Sequence, residues 1–513
     1  MRRLAIAVIV PMTLALLIGC GGGVQQAQPQ RQVPGVATQT SSRDAGDRAG
    51  VEEVRYHNRP ALRMSNGLVT VLIMPEIGGR ILEYKLDAHP LLWVNPDERG
   101  KVYNPADIAS GSVPPPDYGG YHALPVFSGE NAPNRDIRKS ELAGGVWTYE
   151  ILTGRGQKAE VRMTSPAADG LQITRNVVLY AGSTRVRVVE RFQNVGDQPV
   201  SFAIGHFAQV PASLSNQQKF SKEAKVYVPL RADSRHERGF VSLAAGGSDQ
   251  FKQIEDGALL EVSAGGADGF VGVDSTAGWA AYMDTKNKYA LVNRFSVNPI
   301  EDYPEQNSSV TVRTSSARSF MNLAVFGPIV TLSAQNTAES AVDWYATRVE
   351  PPIRAVTEVA AIHQAPEVTK TRDEFRVKAV LGVFALGEIH ALLKNIDNIP
   401  VGETAKIPVK PTDIAVVDKG IPLENRAASV VMELNNREGS PLGEVASMSV
   451  APALAQAEAD AKAEKAGGRS NGEEIIDPAS APDTPRRERV DLGIRANGEA
   501  TPTGDSPPAG TEL

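Results

Sequence analysis

The sequence predicts an all-β protein: a large twisted β-sandwich carrying a mostly disordered C-terminal extension. Three observations predict it. Apolar and polar residues alternate with period two in one short segment after another. Turn signals rich in Gly, Pro, Asn and Asp separate those segments, and no helical stripe of any length interrupts them before about residue 350.

Six segments read most plainly as strands: Val69–Met74, Trp147–Leu152, Ala159–Met163, Leu171–Thr174, Thr184–Val188 and Val310–Arg313. In residues 185–188 the arginines should face solvent and the valines the core, because successive strand side chains point to opposite faces. Ala168-Asp169-Gly170 and Val195-Gly196-Asp197 supply turns. Aromatic residues locate the large core. All four tryptophans and all twelve tyrosines lie between Tyr56 and Tyr345, and only Phe375 and Phe384 follow. The sandwich is therefore placed at 51–350.

The chain opens as an export signal. Arg2 and Arg3 are followed by an apolar run from Leu4 to Ile18, too short to span a bilayer comfortably. Leu17-Ile18-Gly19-Cys20 resembles the lipobox, in which the cysteine is acylated and becomes the first residue after cleavage. Cys20 is the only cysteine in the chain, so no internal disulfide can form and an anchor is its simplest use. Residues 1–20 are read as a lipoprotein signal peptide, and 21–50, with almost no large apolar residue, as a flexible tether. Gly21 is not the aspartate associated with inner-membrane retention, which favours an outer membrane where there are two.

Beyond 350 the pattern weakens. Val356–Gln364 and Gly387–Ile396 read as short helices within an irregular extension over 351–440. Prolines 408 and 411 demote the alternating stretch Thr404–Val417 to an edge strand or an ornament. Ala451–Ala466 is rich in helix formers, but its apolar positions are mostly alanine, so a helix there buries little. Residues 441–513 are read as a low-complexity, largely disordered tail. A net charge of −7 without a basic cluster argues against nucleic acid as a partner. No HExxH, CxxC, P-loop or GxGxxG is present, and the seven histidines show no metal-ligand spacing, so no cofactor or metal is expected.

A family resemblance covers about 55–350. Asn66-Gly67-Leu68, then Pro75-Glu76-Ile77-Gly78-Gly79-Arg80-Ile81-Leu82, then Leu91-Leu92-Trp93 resemble the opening of the galactose mutarotase-like (aldose 1-epimerase-like) superfamily. Asp117-Tyr118-Gly119-Gly120 is similar to a Gly-Gly segment in an uncharacterised bacterial branch of it. Glu190–Val200 and the stretch from Tyr303-Pro304-Glu305 through Phe326-Gly327-Pro328 to Thr331-Leu332 resemble later parts of that branch. The resemblance implies a β-supersandwich with a sugar-binding groove. In the superfamily's enzymes a glutamate takes the proton of the anomeric hydroxyl and a histidine protonates the ring oxygen, so that the hemiacetal opens and recloses.

On that resemblance His206, in Ala203-Ile204-Gly205-His206-Phe207, is the first candidate for the catalytic imidazole and His122 the second. Arg80, Asp117, Tyr118, Gln209 and Arg294 are the candidate substrate-binding residues. The base is missing: Asn322 and Ala324 stand at the two expected glutamate positions, and neither can accept a proton. Glu301, Asp302 and Glu305 lie nearby in sequence and read as a solvated acidic loop. The leading expectation is an envelope lipoprotein that binds carbohydrate through a mutarotase-like domain without efficient mutarotation. One alternative is an aldose- or glycan-active enzyme of the epimerase type using His206. The other is a structural surface lipoprotein whose tail recruits a protein partner.

Overall fold

The computed structural model describes residues 46–128, 136–214, 220–244 and 249–467. Cys20, the signal peptide, the tether up to residue 45 and the tail from 468 lie outside the described residues.

Two mostly antiparallel sheets, of thirteen and ten strands among the described residues, face each other. The first has at its centre Arg80–Leu86, Tyr121–Phe127, Val200–Pro211 and Phe320–Phe326; the second runs through Leu171–Tyr180, Val186–Asn194, Thr337–Arg348 and Tyr289–Phe295. The segments read from alternation are strands here. Val69–Met74 has the predicted bounds, and Val310–Thr314 and Lys158–Thr164 extend theirs by one or two residues. Val186 and Val188 are fully buried, while Arg185 and Arg187 face outward and share Asp343 at 2.8 and 2.9 Å. The turn at Asp169-Gly170 has both residues at positive φ (56° and 74°), the conformation that Asp and Gly tolerate best. One continuous apolar core between the sheets includes Ile81, Tyr84, Trp147, Phe192, Phe202 and Trp344.

The extension after 350 is not the helices and irregular chain that were expected. Seven strands from Ala360–Lys370 to Pro441–Ser449, with the two-residue Ala355–Val356, make a pair of four-stranded sheets with their own core of Val377, Leu381, Ile389, Leu393, Val430 and Leu434. Ile389, Leu392, Leu393 and Ile396 carry helical spacing in sequence. In the fold Ile389, Ala391 and Leu393 point into the small core from a strand whose other face carries Glu388, His390, Leu392 and Lys394. The single apolar Leu392 on that polar face turns the alternation into a run that mimics helical spacing. Pro400–Val409, which contains Pro408, is an edge strand, as its prolines require. Residues 441–449, assigned to the tail, are an edge strand of the same small sandwich.

The outer face of the ten-stranded sheet is apolar and covered. Trp279, Met283, Val292 and Tyr345 pack there with Ile353, Ala361 and Phe384, and the Tyr345 and Phe384 rings stack at 4.4 Å. Thr184 and Leu386 add backbone bonds to Phe384 and Gly182 across the same junction. The described residues through Gln456 form one compact unit. The alanine-rich segment forms the helix Ala451–Gly467, with most of its described residues exposed.

Candidate functional site

Strand parity decides which side chains reach the outer face of the thirteen-stranded sheet. On Val200–Pro211, Phe202, Ile204, Ala208 and Val210 belong to the core between the sheets, so Phe207 and Gln209 point the other way. Registration places their neighbours: Gln209 is opposite Asn322, and Phe207 lies between Ala324 on one side and His122 on the other. This outer face has two apolar covers. Val94, Val102, Tyr103 and Tyr118 lie over Leu72, Met74 and Leu82, while Val297 and Tyr303 lie against Ala324, Phe326 and Phe207. Between the covers runs a polar strip holding Arg80, His122, Gln209 and Asn322.

The loop Asp117-Tyr118-Gly119-Gly120 frames that strip. Gly119 and Gly120 have φ of 86° and 71°, and a Cβ at either would stand 2.4 Å from a carbonyl oxygen, of Trp93 or of Ile81. Only glycine lets the loop lie this close to the sheet. So held, the Gly119 carbonyl accepts from Arg80 Nη1 at 2.9 Å. Asp117 accepts from Gln209 Nε2 at 2.8 Å through one carboxylate oxygen and is ion-paired to Arg318 through the other.

The same guanidinium nitrogen of Arg80 is 2.9 Å from His122 Nδ1. Arginine can only donate, so Nδ1 accepts and the ring proton is on Nε2. Burial, then the charges of Arg80 and Arg175, hold the His122 pKa well below its ordinary value. The imidazole is therefore neutral at pH 7, a hydrogen-bond donor at Nε2 and stacked on Phe207 at 5.4 Å. Arg80 is nine-tenths buried, and burial followed by Arg175 brings its pKa down to about 10, which leaves it charged.

Three buried polar atoms of the strip have no hydrogen-bond partner among the described residues: Arg80 Nε, Gln209 Oε1 and Asn322 Oδ1. The Gln209 amide is oriented without ambiguity, since its nitrogen must face the Asp117 carboxylate. Buried polar groups are nearly always paired. One donor and two acceptors left together on adjacent strands, with Phe207 beside them, suit a ligand that both donates and accepts, as vicinal hydroxyls do.

Of the candidates from sequence, the fold brings together Arg80, His122, Asp117, Tyr118 and Gln209. His206 is not with them. It shares the parity of Phe202 and Ile204 and lies in the interior, bonded to Tyr121 and Ser340. Arg294 is on the other sheet, opposite Trp279 and Asp343. Tyr118 is near the strip, but its ring is buried against Leu82 and Met74, so it offers no open platform. Burial lifts its phenol to about 12. Glu301, Asp302 and Glu305 are exposed, and Asp302 pairs with Arg235 at 3.5 Å. Phe207, Arg318 and the Trp93–Phe320 pair (4.6 Å) are the residues that the sequence did not single out. Parity puts Phe207 on the strand face opposite Phe202 and Ile204, and only the fold shows that this is the outer face.

Solved structures similar to this chain include galactose mutarotase-like proteins. One, from Clostridium acetobutylicum, is 11% identical, with a TM-score of 0.39 over 58% of this chain and 98% of that one. Another, from Lactobacillus casei, is 12% identical, with a TM-score of 0.37 over 58% and 100%. A TPR-domain containing protein from Parabacteroides distasonis is also similar, at 12% identity and a TM-score of 0.39, over 58% of this chain and 49% of that one. No family model and no curated protein matches. Likeness at this level concerns the fold, and the chemistry of the site rests on its own side chains.

Proposed function

We propose that the protein is an envelope lipoprotein, anchored through Cys20, whose thirteen-stranded sheet binds a carbohydrate in the strip between its two apolar covers. The observation that carries the reading is the set of unpartnered buried atoms Arg80 Nε, Gln209 Oε1 and Asn322 Oδ1 around the Asp117–Gly120 loop. Sugar hydroxyls would satisfy all three, and Phe207 offers an apolar surface to the ring. Binding without turnover fits the chemistry of the strip. His122 is neutral, and the charges acting on it are cationic. Asn322 and Ala324, opposite Gln209 and Phe207 at the places where the family resemblance implies a glutamate, supply no base.

Neutral hydrogen bonds and one aromatic contact support millimolar affinity, about −4 kcal/mol. Titration calorimetry of the full chain against neutral aldoses tests this. Asn322→Ala and Gln209→Ala should each weaken a bound sugar by about tenfold, the effect of about 1.4 kcal/mol. Binding that ignores both substitutions would remove the strip from the reading.

A further inference from the structure

A cleft of about 1140 Å³ opens beside the strip, walled by both sheets. The thirteen-stranded sheet contributes Lys85, His89 and Pro90 near the end of Arg80–Leu86, and the ten-stranded sheet contributes Tyr282, Asp284 and the following Asn287. Two wall residues tie the cleft to the strip. Trp93 packs on Phe320, which shares its strand face with Asn322, and Arg318 is the ion-pair partner of Asp117.

The lining has the marks of a built site. Tyr282 is fully buried, and its hydroxyl has no hydrogen-bond partner among the described residues although the side chain lines the cleft. A buried hydroxyl left unpaired is costly, so a ligand that reaches it gains a bond that the protein does not supply. The His89 ring lies flat on Tyr289, with centroids 4.0 Å apart, and Trp93 and Pro90 add apolar surface.

Charge selects the ligand class. The acids of the wall, Glu83, Asp97 and Asp284, equal in number its bases Lys85, Arg99 and Arg318. Lys85 is bound to Glu83 at 2.6 Å, His89 faces Asp284 at 3.4 Å and Arg318 is committed to Asp117. Such a surface has no net attraction for phosphates or polyanions. A peptide added as a strand at the His89–Pro90 edge would miss the N–H that Pro90 lacks. Size excludes a single ring as the only occupant: pockets for drug-sized ligands run to about 1,000 Å³, and this cleft lies beyond the strip.

We propose that the cleft continues the strip and holds further units of a neutral oligosaccharide whose terminal sugar sits at Arg80, Gln209 and Asn322. This rests on reading the strip as a sugar site. The test uses the full chain in detergent and an array of neutral monosaccharides with their linear oligomers from dimer to hexamer, followed by calorimetry on the sugars that bind. Affinity should climb by about tenfold or more from monomer to tetramer. Tyr282→Phe and Asn287→Ala should remove that gain and leave monomer binding as it was, whereas Asn322→Ala should weaken both. Affinity independent of length would overturn the cleft and leave the strip standing. Oligomers that bind without response to Asn322→Ala would show that the two are separate sites. No glycan bound at all would defeat the reading of the strip, and this proposal with it.

Discussion

His206 Nδ1 lies 2.8 Å from Tyr121 Oη in the interior between the two sheets. The phenol has one proton and gives it to Glu190 Oε1 at 3.0 Å, so the imidazole must donate from Nδ1. Its Nε2 then accepts from Ser340 at 2.9 Å. The resulting chain, Ser340 to His206 to Tyr121 to Glu190, ends on Arg175, which also donates to the Gly79 carbonyl at 2.6 Å. Ser340, Glu190 and Arg175 belong to one sheet, and His206 and Tyr121 to the other. The best catalytic candidate in the sequence is thus part of a polar tie between sheets, with the tautomer opposite to that of His122.

That tie makes stability depend on pH. Burial, then the Arg175 charge, lowers the His206 pKa to about 3. A histidine whose pKa is depressed by folding contributes its full stability above the unfolded value of about 6.5 and loses it as pH falls from there toward the folded value. At pH 5 the loss is about 2 kcal/mol for this one imidazole. Urea unfolding at pH 7.5 and pH 5 should show a falling midpoint, and His206→Gln should flatten that fall. Equal slopes for wild type and variant would disprove the assignment. Burial depresses His122 and His89 in the same direction, so some slope should remain in the variant.

The sequence showed the large sandwich better than it showed the site or the small sandwich. Strands such as Val186–Asn194 have one buried and one wet face, and alternation reports that directly. Val200–Pro211 is buried along most of both faces, one turned to the core and one, through Phe207, to Phe326 and Val126. Each face carries apolar residues with a polar one among them, so its pattern did not tell which way His206 points. Arg80 and His122 were legible because each closely follows a glycine pair at positive φ, Gly78-Gly79 and Gly119-Gly120, whereas Gln209 came from the family resemblance alone. The strands after 350 were hidden by short apolar runs with helical spacing. Arg318 had no local signal, because its role depends on a contact with Asp117 far along the chain.

The small sandwich should be needed for the large one. Ending the chain at 350 would uncover Trp279, Met283, Val292 and Tyr345, which now pack with Ile353, Ala361 and Phe384. Phe384→Ala in the full chain should cost about 3–5 kcal/mol, the usual range for a buried phenylalanine. A chain stopped at 350 should bind a dye for exposed apolar surface and melt well below one ending at 456. Equal melting temperatures would show that the covering face contributes nothing.

Membrane attachment should depend on Cys20. Cell fractionation should find the wild type with membranes and Cys20→Ser in the soluble fraction, and a radiolabelled fatty acid should mark only the wild type. Stable anchoring takes two acyl chains or an equivalent second signal, which a diacylated Cys20 would supply and Cys20→Ser would not. A labelled Cys20→Ser protein would place the lipid elsewhere.

The last expectation is chemical: the protein should not speed mutarotation of simple aldoses. Ring opening needs a base for the anomeric hydroxyl and an acid for the ring oxygen, and a positioned group of either kind contributes about 10²–10⁴-fold. Asn322 and Ala324 supply no base. The Asp117 carboxylate is occupied by Gln209 and Arg318. The imidazole nearest the strip, His122, is neutral with Arg80 against its Nδ1, so it is a weak acid at pH 7. Ala324→Glu would place a carboxylate two strands from His122, about 10 Å away at the usual spacing, and would restore the base alone. Polarimetry on fresh α-glucose and α-galactose should therefore give buffer rates for the wild type and at most a small gain for Ala324→Glu. A wild-type rate well above buffer that vanishes in His122→Ala would show that a neutral, arginine-bound imidazole suffices as the acid. The same rate vanishing in His206→Ala would instead mean that the interior chain reaches the ligand.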